Sequence, residues 1–145
     1  MKRIFSVVSL FALILSFQGC SLDDEQNFHF VTLQILEAEV PESFDLHEIY
    51  TIQVTYMRPN GCTFFEGFDV TATDNTTRNI VAIGSQITDE DTTCSDIVEN
   101  VTAEFRFEVL YTGTYTFRFF NGNDEEGNPM FLEYEVEVNE EEPTN

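Results

Sequence analysis

From Ile49 to Met57 the chain reads IYTIQVTYM. Tyr50, Ile52, Val54 and Tyr56 fall on one side, with Thr51, Gln53 and Thr55 on the other. Side chains alternate across a strand, so this period of two predicts a half-buried β-strand. The alternation recurs along the chain. Val31, Leu33 and Ile35 share a face in HFVTLQI, His29 to Ile35. Val101, Ala103, Phe105, Phe107 and Val109 alternate with Thr102, Glu104, Arg106 and Glu108. Tyr115, Phe117 and Phe119 alternate with Thr116 and Arg118. Met130, Leu132, Tyr134, Val136 and Val138 alternate with Phe131, Glu133, Glu135 and Glu137.

Between these runs lie turn signals. Pro41 ends the first region, and Arg58-Pro59-Asn60-Gly61 marks a tight turn. Cys62 to Val70, CTFFEGFDV, predicts a strand with a bend or bulge at Gly67. Asn79 to Ile83 is a short apolar run, and Thr88 to Asp96 an acidic loop. No helical period appears after the first 27 residues. The pattern predicts an all-β domain over 28–139. It has about seven antiparallel strands with turns every eight to twelve residues or so, the cue for a β-sandwich. No internal repeat is evident.

The N-terminus has a different pattern. Lys2 and Arg3 precede an apolar run from Ile4 to Phe17, and Gly19-Cys20 breaks it. As a helix that run would extend about 21 Å, short of the roughly 30 Å of a bilayer's hydrocarbon core. This favours a cleaved signal peptide over 1–19 rather than a membrane-spanning helix, which stays as the alternative. Cleavage before Cys20 would remove both basic residues, leaving four arginines against 27 acids and a formal charge of −23. Such a surface repels nucleic acid and anionic lipid headgroups. Its acids can also act simply as solubilising groups. With 12 Phe and five Tyr beyond the signal, the chain still has the means to bury a core.

Three cysteines are an odd count for an exported chain. A small residue followed by Cys20, directly after a short apolar run, resembles the lipobox of bacterial lipoproteins. Phe17 and Gln18 depart from the commoner residues of that box. The resemblance implies diacylglycerol on the Cys20 thiol, and acyl chains then supply the anchor at about 0.8 kcal/mol per buried CH₂. Cys20-Ser21-Leu22-Asp23-Asp24-Glu25 further resembles the export signal of surface lipoproteins in Bacteroidota. There an acidic cluster after the lipidated cysteine directs the protein to the outer leaflet of the outer membrane. Ser21, Asp23, Asp24 and Glu25 would carry that signal. Residues 20–27 serve equally as a solvated tether, and a periplasm-facing lipoprotein is the other outcome. Cys62 and Cys94 remain. In an oxidising compartment they are expected to form a disulfide. A metal or catalytic thiol competes with this reading, but neither cysteine has a His or a second Cys at ligand spacing.

Leu110-Tyr111-Thr112-Gly113-Thr114-Tyr115-Thr116-Phe117 resembles the stretch that opens the penultimate strand of many immunoglobulin-like domains. The resemblance implies a tight corner at Gly113 and a tyrosine corner, in which Tyr115 buries its ring and returns its hydroxyl to backbone. The buried Trp of antibody domains is absent, so the expectation is an immunoglobulin-like sandwich and not an antibody domain.

Catalytic chemistry is hard to find. His29 opens the first strand and His47 precedes the second, and neither sits beside a G-x-S-x-G elbow. No zinc spacing or phosphate-cradling loop is present. Carboxylates are abundant, but none stands out as a pair. The expectation is a protein that is not an enzyme and carries no cofactor. Calcium is a weak candidate at Asn121, Asn123, Asp124 and Glu126 in a loop that otherwise reads as an acidic hairpin. Asp91-Thr92-Thr93 resembles the O-glycosylation site of exported Bacteroidota proteins, which would place a glycan on Thr92. An exposed aromatic patch is expected at Phe64, Phe65 and Phe68, on a strand aromatic on both faces. The sequence therefore points to an outer-membrane lipoprotein, membrane-bound through its lipid and surface-exposed, that acts as a non-catalytic binding or accessory module for a protein or glycan. The alternative is a structural envelope-assembly lipoprotein facing the periplasm with no ligand of its own. The tail at 140–145 is acidic.

Overall fold

The computed structural model describes residues 27–89 and 91–139. Cys20, Ser21, Asp23, Asp24 and Glu25 lie outside the described residues, as do the rest of the leader and the tail at 140–145. Nine strands follow one another: β1 (Phe28–Leu33), β2 (Ile35–Glu39), β3 (Ser43–Asp45), β4 (Ile49–Arg58), β5 (Thr63–Ala72), β6 (Thr77–Ile87), β7 (Glu99–Glu108), β8 (Thr114–Asn123) and β9 (Pro129–Asn139). They form two sheets. One runs β1-β6-β8-β9-β3, with β5 also on β6, and the other runs β2-β4-β7. The all-β sandwich expectation holds.

Nine strands stand where about seven were expected, and two further details differ from the sequence pattern. The run His29 to Ile35 is not one strand. It breaks at Gln34, and the chain crosses from one sheet to the other. Leu33 enters the core from the first sheet and Ile35 from the second, both buried. Alternation is preserved through the crossing, so the pattern does not reveal it. The Gln34 carbonyl accepts from Met57 N–H, and its amide donates to the Asn121 carbonyl, which fixes the crossing. The second difference is direction. β3 pairs with β9 in parallel, as does β6 with β8. Alternation is the same in parallel and antiparallel strands, and only the connections set direction.

β6 organises the larger sheet. Only Asn79 to Ile83 stands out as apolar, yet the strand is 11 residues long. That length gives it three partners: β5 along Arg78–Gln86, β1 along Ala82–Ile87 and β8 along Thr77–Ile80. Ile80 and Ala82 face the core.

The core is largely aromatic. Phe44 of β3 lies 4.7 Å from the Tyr50 ring, 5.8 Å from Phe107 and 5.9 Å from Phe117, centroid to centroid. Tilted and edge-on pairs of this kind add about 0.5–1.5 kcal/mol each beyond their buried area. The expected tyrosine corner is present. Tyr115 is fully buried, and its hydroxyl accepts N–H bonds from Leu110 and Tyr111 at 3.2 and 3.0 Å. Gly113 between them takes φ of 101°, a left-handed conformation that glycine adopts at little cost. Arg78 is buried at the same end. Its guanidinium donates to the Asp74, Thr77 and Asn75 carbonyls and lies 5.4 Å from the Tyr115 ring centroid.

The Cys62–Cys94 disulfide forms as expected. Local sequence prepares it. Asn60 Oδ1 accepts from Cys62 N–H and from the Thr63 hydroxyl, which closes the Arg58–Gly61 turn. Gly61 N–H then donates to Ser95 O at 2.8 Å and holds the loop of Cys94 beside it.

Candidate binding face

The three aromatic residues of β5 do not share a surface. Gly67, at φ of 149°, marks the expected bulge, and the β5–β6 register shifts between Phe65 and Gly67. The extra residue returns Phe68 to the side that Phe65 occupies. Both point inward. Phe65 stacks on Tyr56 at 4.8 Å, and Phe68 lies 5.4 Å from Phe105. Phe64 alone stays exposed, at 46%. The expected patch at Phe64, Phe65 and Phe68 is therefore corrected to Phe64.

Phe64 gains other neighbours through β6. It pairs with Ser85, which pairs on its far side with Phe30 of β1. Directly opposed residues point to the same face, so Phe30, Ser85 and Phe64 form a row across three strands. The next row holds Phe28 opposite Ile87, and the row on the other side sets Thr32, Ile83 and Gly67 together. Phe28 is 55% and Phe30 67% exposed, and their rings meet edge to face at 5.6 Å. Strands lie about 4.8 Å apart, so Phe30 and Phe64 stand about 10 Å apart across the sheet. Between them the Ser85 hydroxyl donates to the exposed carboxylate of Glu66, the bulged residue. The face thus offers aromatic rings around a carboxylate that accepts hydrogen bonds.

Burying one such ring is worth about 1.5–3 kcal/mol. Three open rings on one sheet face leave that stabilisation unused. The far end of the same outer face is treated differently. There Arg118 lies 4.3 Å over the Phe131 ring, donates from Nε to Glu133 at 2.8 Å, and donates to Asn79 Oδ1. Phe131 is covered, whereas Phe28, Phe30 and Phe64 are not. Phe28 and Phe30 went unnoticed in the sequence because the core face of β1 is carried by Val31 and Leu33. The available signal was phenylalanine at alternate positions on the opposite face.

The other candidate residues are scattered. Asn121 turns inward and donates to the Ile35 carbonyl. Asp124 accepts N–H bonds from Glu126 and Asn128 and a side-chain bond from Asn128. These bonds, led by the Asn128 side chain, hold the Asp124 carboxyl below its usual range. Of the calcium candidates Asn121, Asn123, Asp124 and Glu126, Asn121 is thus engaged with β2 and Asp124 with its own loop. Among the described residues no cluster of three or more His, Cys, Asp or Glu side chains is placed to hold a metal ion. His29 is exposed on β1, and His47 is exposed in the turn between β3 and β4. A shallow hollow lined by Gly113, Thr114, Glu137, Val138 and Asn139 contains a single ionisable side chain, Glu137. Thr92 is exposed in the loop of Cys94.

Two packed sheets, an aromatic core and one internal disulfide define a β-sandwich protein. A family model described as the ORF11 beta-sandwich domain matches residues 52–129, more than half of the chain, and the chain belongs to that family. No curated protein and no solved structure matched it.

Proposed function

We propose that this protein is a non-catalytic binding module whose ligand, a protein or glycan, docks on the outer face formed by β1, β6 and β5. The observation that carries the reading is the row of Phe30 and Phe64 across Ser85, extended by Phe28. Flat apolar rings beside a hydrogen-bond acceptor suit a sugar ring or an uncharged, hydroxyl-bearing peptide segment. The acidic chain, at −21 formal charge, disfavours anionic ligands. We read the sandwich as immunoglobulin-like, on the support of the tyrosine corner at Tyr115, although the parallel β6–β8 pair departs from a purely antiparallel plan. We further propose that the domain is exported and lipid-anchored through Cys20 in the outer membrane, with Asp23, Asp24 and Glu25 directing it to the cell surface. In that arrangement β1 is the first element after the tether.

The test uses a panel of immobilised neutral and anionic glycans and hydroxyl-rich peptides. Wild-type protein is compared with a variant carrying Phe28→Ser, Phe30→Ser and Phe64→Ser. The expected result is a neutral ligand retained by wild type and lost by the variant, with an unchanged melting temperature. Equal retention by both proteins, or retention by neither, overturns the reading. Protease shaving of intact cells, with and without alanine at Asp23, Asp24 and Glu25, tests the address separately. Protection of both forms until lysis would favour a periplasm-facing envelope component.

A further inference from the structure

β7 ends the three-stranded sheet, and among the described residues it pairs only with β4. Val109, just beyond it, donates its N–H to Glu48 O and accepts from His47 N–H. Along an antiparallel ladder, successive residues turn their N–H and C=O to opposite edges. The odd-numbered residues of β7 therefore bond to β4. Asn100, Thr102, Glu104, Arg106 and Glu108 present their backbone groups to the open edge. A strand of ten residues left open in this way is a template for another strand. Its core-facing row is open too. Phe107 is buried, but Val101, Ala103 and Phe105 are only half-buried.

Charge identifies the partner strand. Among the described residues, Arg58 pairs with Glu99, Arg118 pairs with Glu133, and Arg78 is held by backbone carbonyls. Arg106 alone of these arginines makes no such bond, although Glu104 and Glu108 flank it on the exposed face of the same strand.

We propose that β7 pairs with β7 of a second copy of this chain, antiparallel, about a two-fold axis at Phe105. The two three-stranded sheets then become one continuous sheet. In this register Arg106 stands opposite Glu104 of the second copy, and the axis repeats the pair. Thr102 meets Glu108, Ala103 meets Phe107 and Phe105 meets itself, so large and small core-facing residues interleave. Glu104 and Arg106 are among the residues whose backbone groups face the open edge, so the ion pairs fall on hydrogen-bonded positions. Neighbouring registers are worse. Centring on Glu104 sets two carboxylates against each other, and centring on Arg106 sets two guanidiniums together, both destabilising. Centring on Ala103 places Arg106 opposite Asn100 and loses the pairs. Centring on Phe107 pairs Arg106 with Glu108 but runs past the strand end, which shortens the ladder. The net repulsion between two acidic chains is diffuse and is screened beyond about 8 Å at physiological ionic strength, whereas the Arg106–Glu104 pairs act at contact.

Sedimentation equilibrium of the full chain, in detergent matched to the solvent density, reads the association directly. Wild type is expected to dimerise. Arg106→Glu and Glu104→Arg, each made alone, are expected to weaken the dimer at least about tenfold, because each sets like charges opposite at both pairs. Combining Glu104→Arg with Arg106→Glu restores opposite charges and is expected to restore the dimer. Both positions are exposed, and circular dichroism of each variant checks that it folds. A wild type that stays monomeric up to its solubility limit overturns the proposal. So does a dimer that neither single substitution weakens, or a double variant no stronger than the singles.

Discussion

Tyr115 shows how much one hydroxyl can organise. Its ring joins Phe44, Phe107 and Phe117 in the core, and its oxygen satisfies the N–H groups of Leu110 and Tyr111 at the β7–β8 corner. Tyr115→Phe keeps the ring and leaves those donors without their acceptor. Leu110 and Tyr111 are themselves exposed and these bonds only partly buried, so the loss is the net worth of a typical hydrogen bond, about 0.5–1.5 kcal/mol. The variant is expected to lose about that much unfolding free energy, read as a lower urea midpoint at an unchanged denaturant slope, since the surface exposed on unfolding is the same. The residue was legible in sequence because Leu110 to Phe117 resembles the stretch of immunoglobulin-like domains that carries such a corner. Arg78 was not. Nothing in Thr77-Arg78-Asn79 says that a guanidinium will be buried, because its acceptors are backbone carbonyls supplied by the turn before it.

Among the elements, β5 gives the clearest lesson. Its two-sided aromatic pattern admitted several surfaces, and the bulge before Gly67 selected one by turning Phe65 and Phe68 inward together. The start of β5 is also where the disulfide acts, tying the β4–β5 turn to the loop that precedes β7. Closing a loop with sequence separation 32 stabilises the fold by about 3–4 kcal/mol on the chain-entropy model. Replacing Cys62 and Cys94 together with Ser, or adding reductant to wild type, is expected to lower unfolding free energy by about that amount. Urea titration with and without reductant checks it, and the double variant should show no further loss on reduction. The Cys62–Cys94 pairing followed from the odd cysteine count together with the expectation of an oxidising compartment. The path that brings the two together, through Asn60 and Ser95, needed the folded loops.

At the scale of the whole molecule, charge dominates. The chain carries a formal −21, and its visible ion pairs, Arg58–Glu99 and Arg118–Glu133, are partly exposed and contribute little. Self-repulsion therefore opposes the compact state. Raising sodium chloride from about 10 mM to about 150 mM shortens the screening length from about 30 Å to about 8 Å. The melting temperature is expected to rise over that range. A fall would mean that the few ion pairs outweigh the repulsion. The same excess of acid, with arginine so scarce, is why a single unpaired Arg106 on an open edge bears on how two copies meet.

By itself the sequence determined the fold class, most strand faces, the β5 bulge, the tyrosine corner and the disulfide. The strand faces rest on a period of two that every half-buried strand obeys, the bulge and the corner on residues close in the chain, and the disulfide on the cysteine count, since its partners have sequence separation 32. Tertiary structure alone decided the sheet crossing at Gln34, the parallel pairs, the reach of β6 and the meeting of Phe28, Phe30 and Phe64 on one face. These are relations between strands far apart in sequence, and alternation records which side a residue faces but not what lies beside it. The exposed aromatic face exists because β1 and β5 take opposite edges of β6, a choice made by packing and connection.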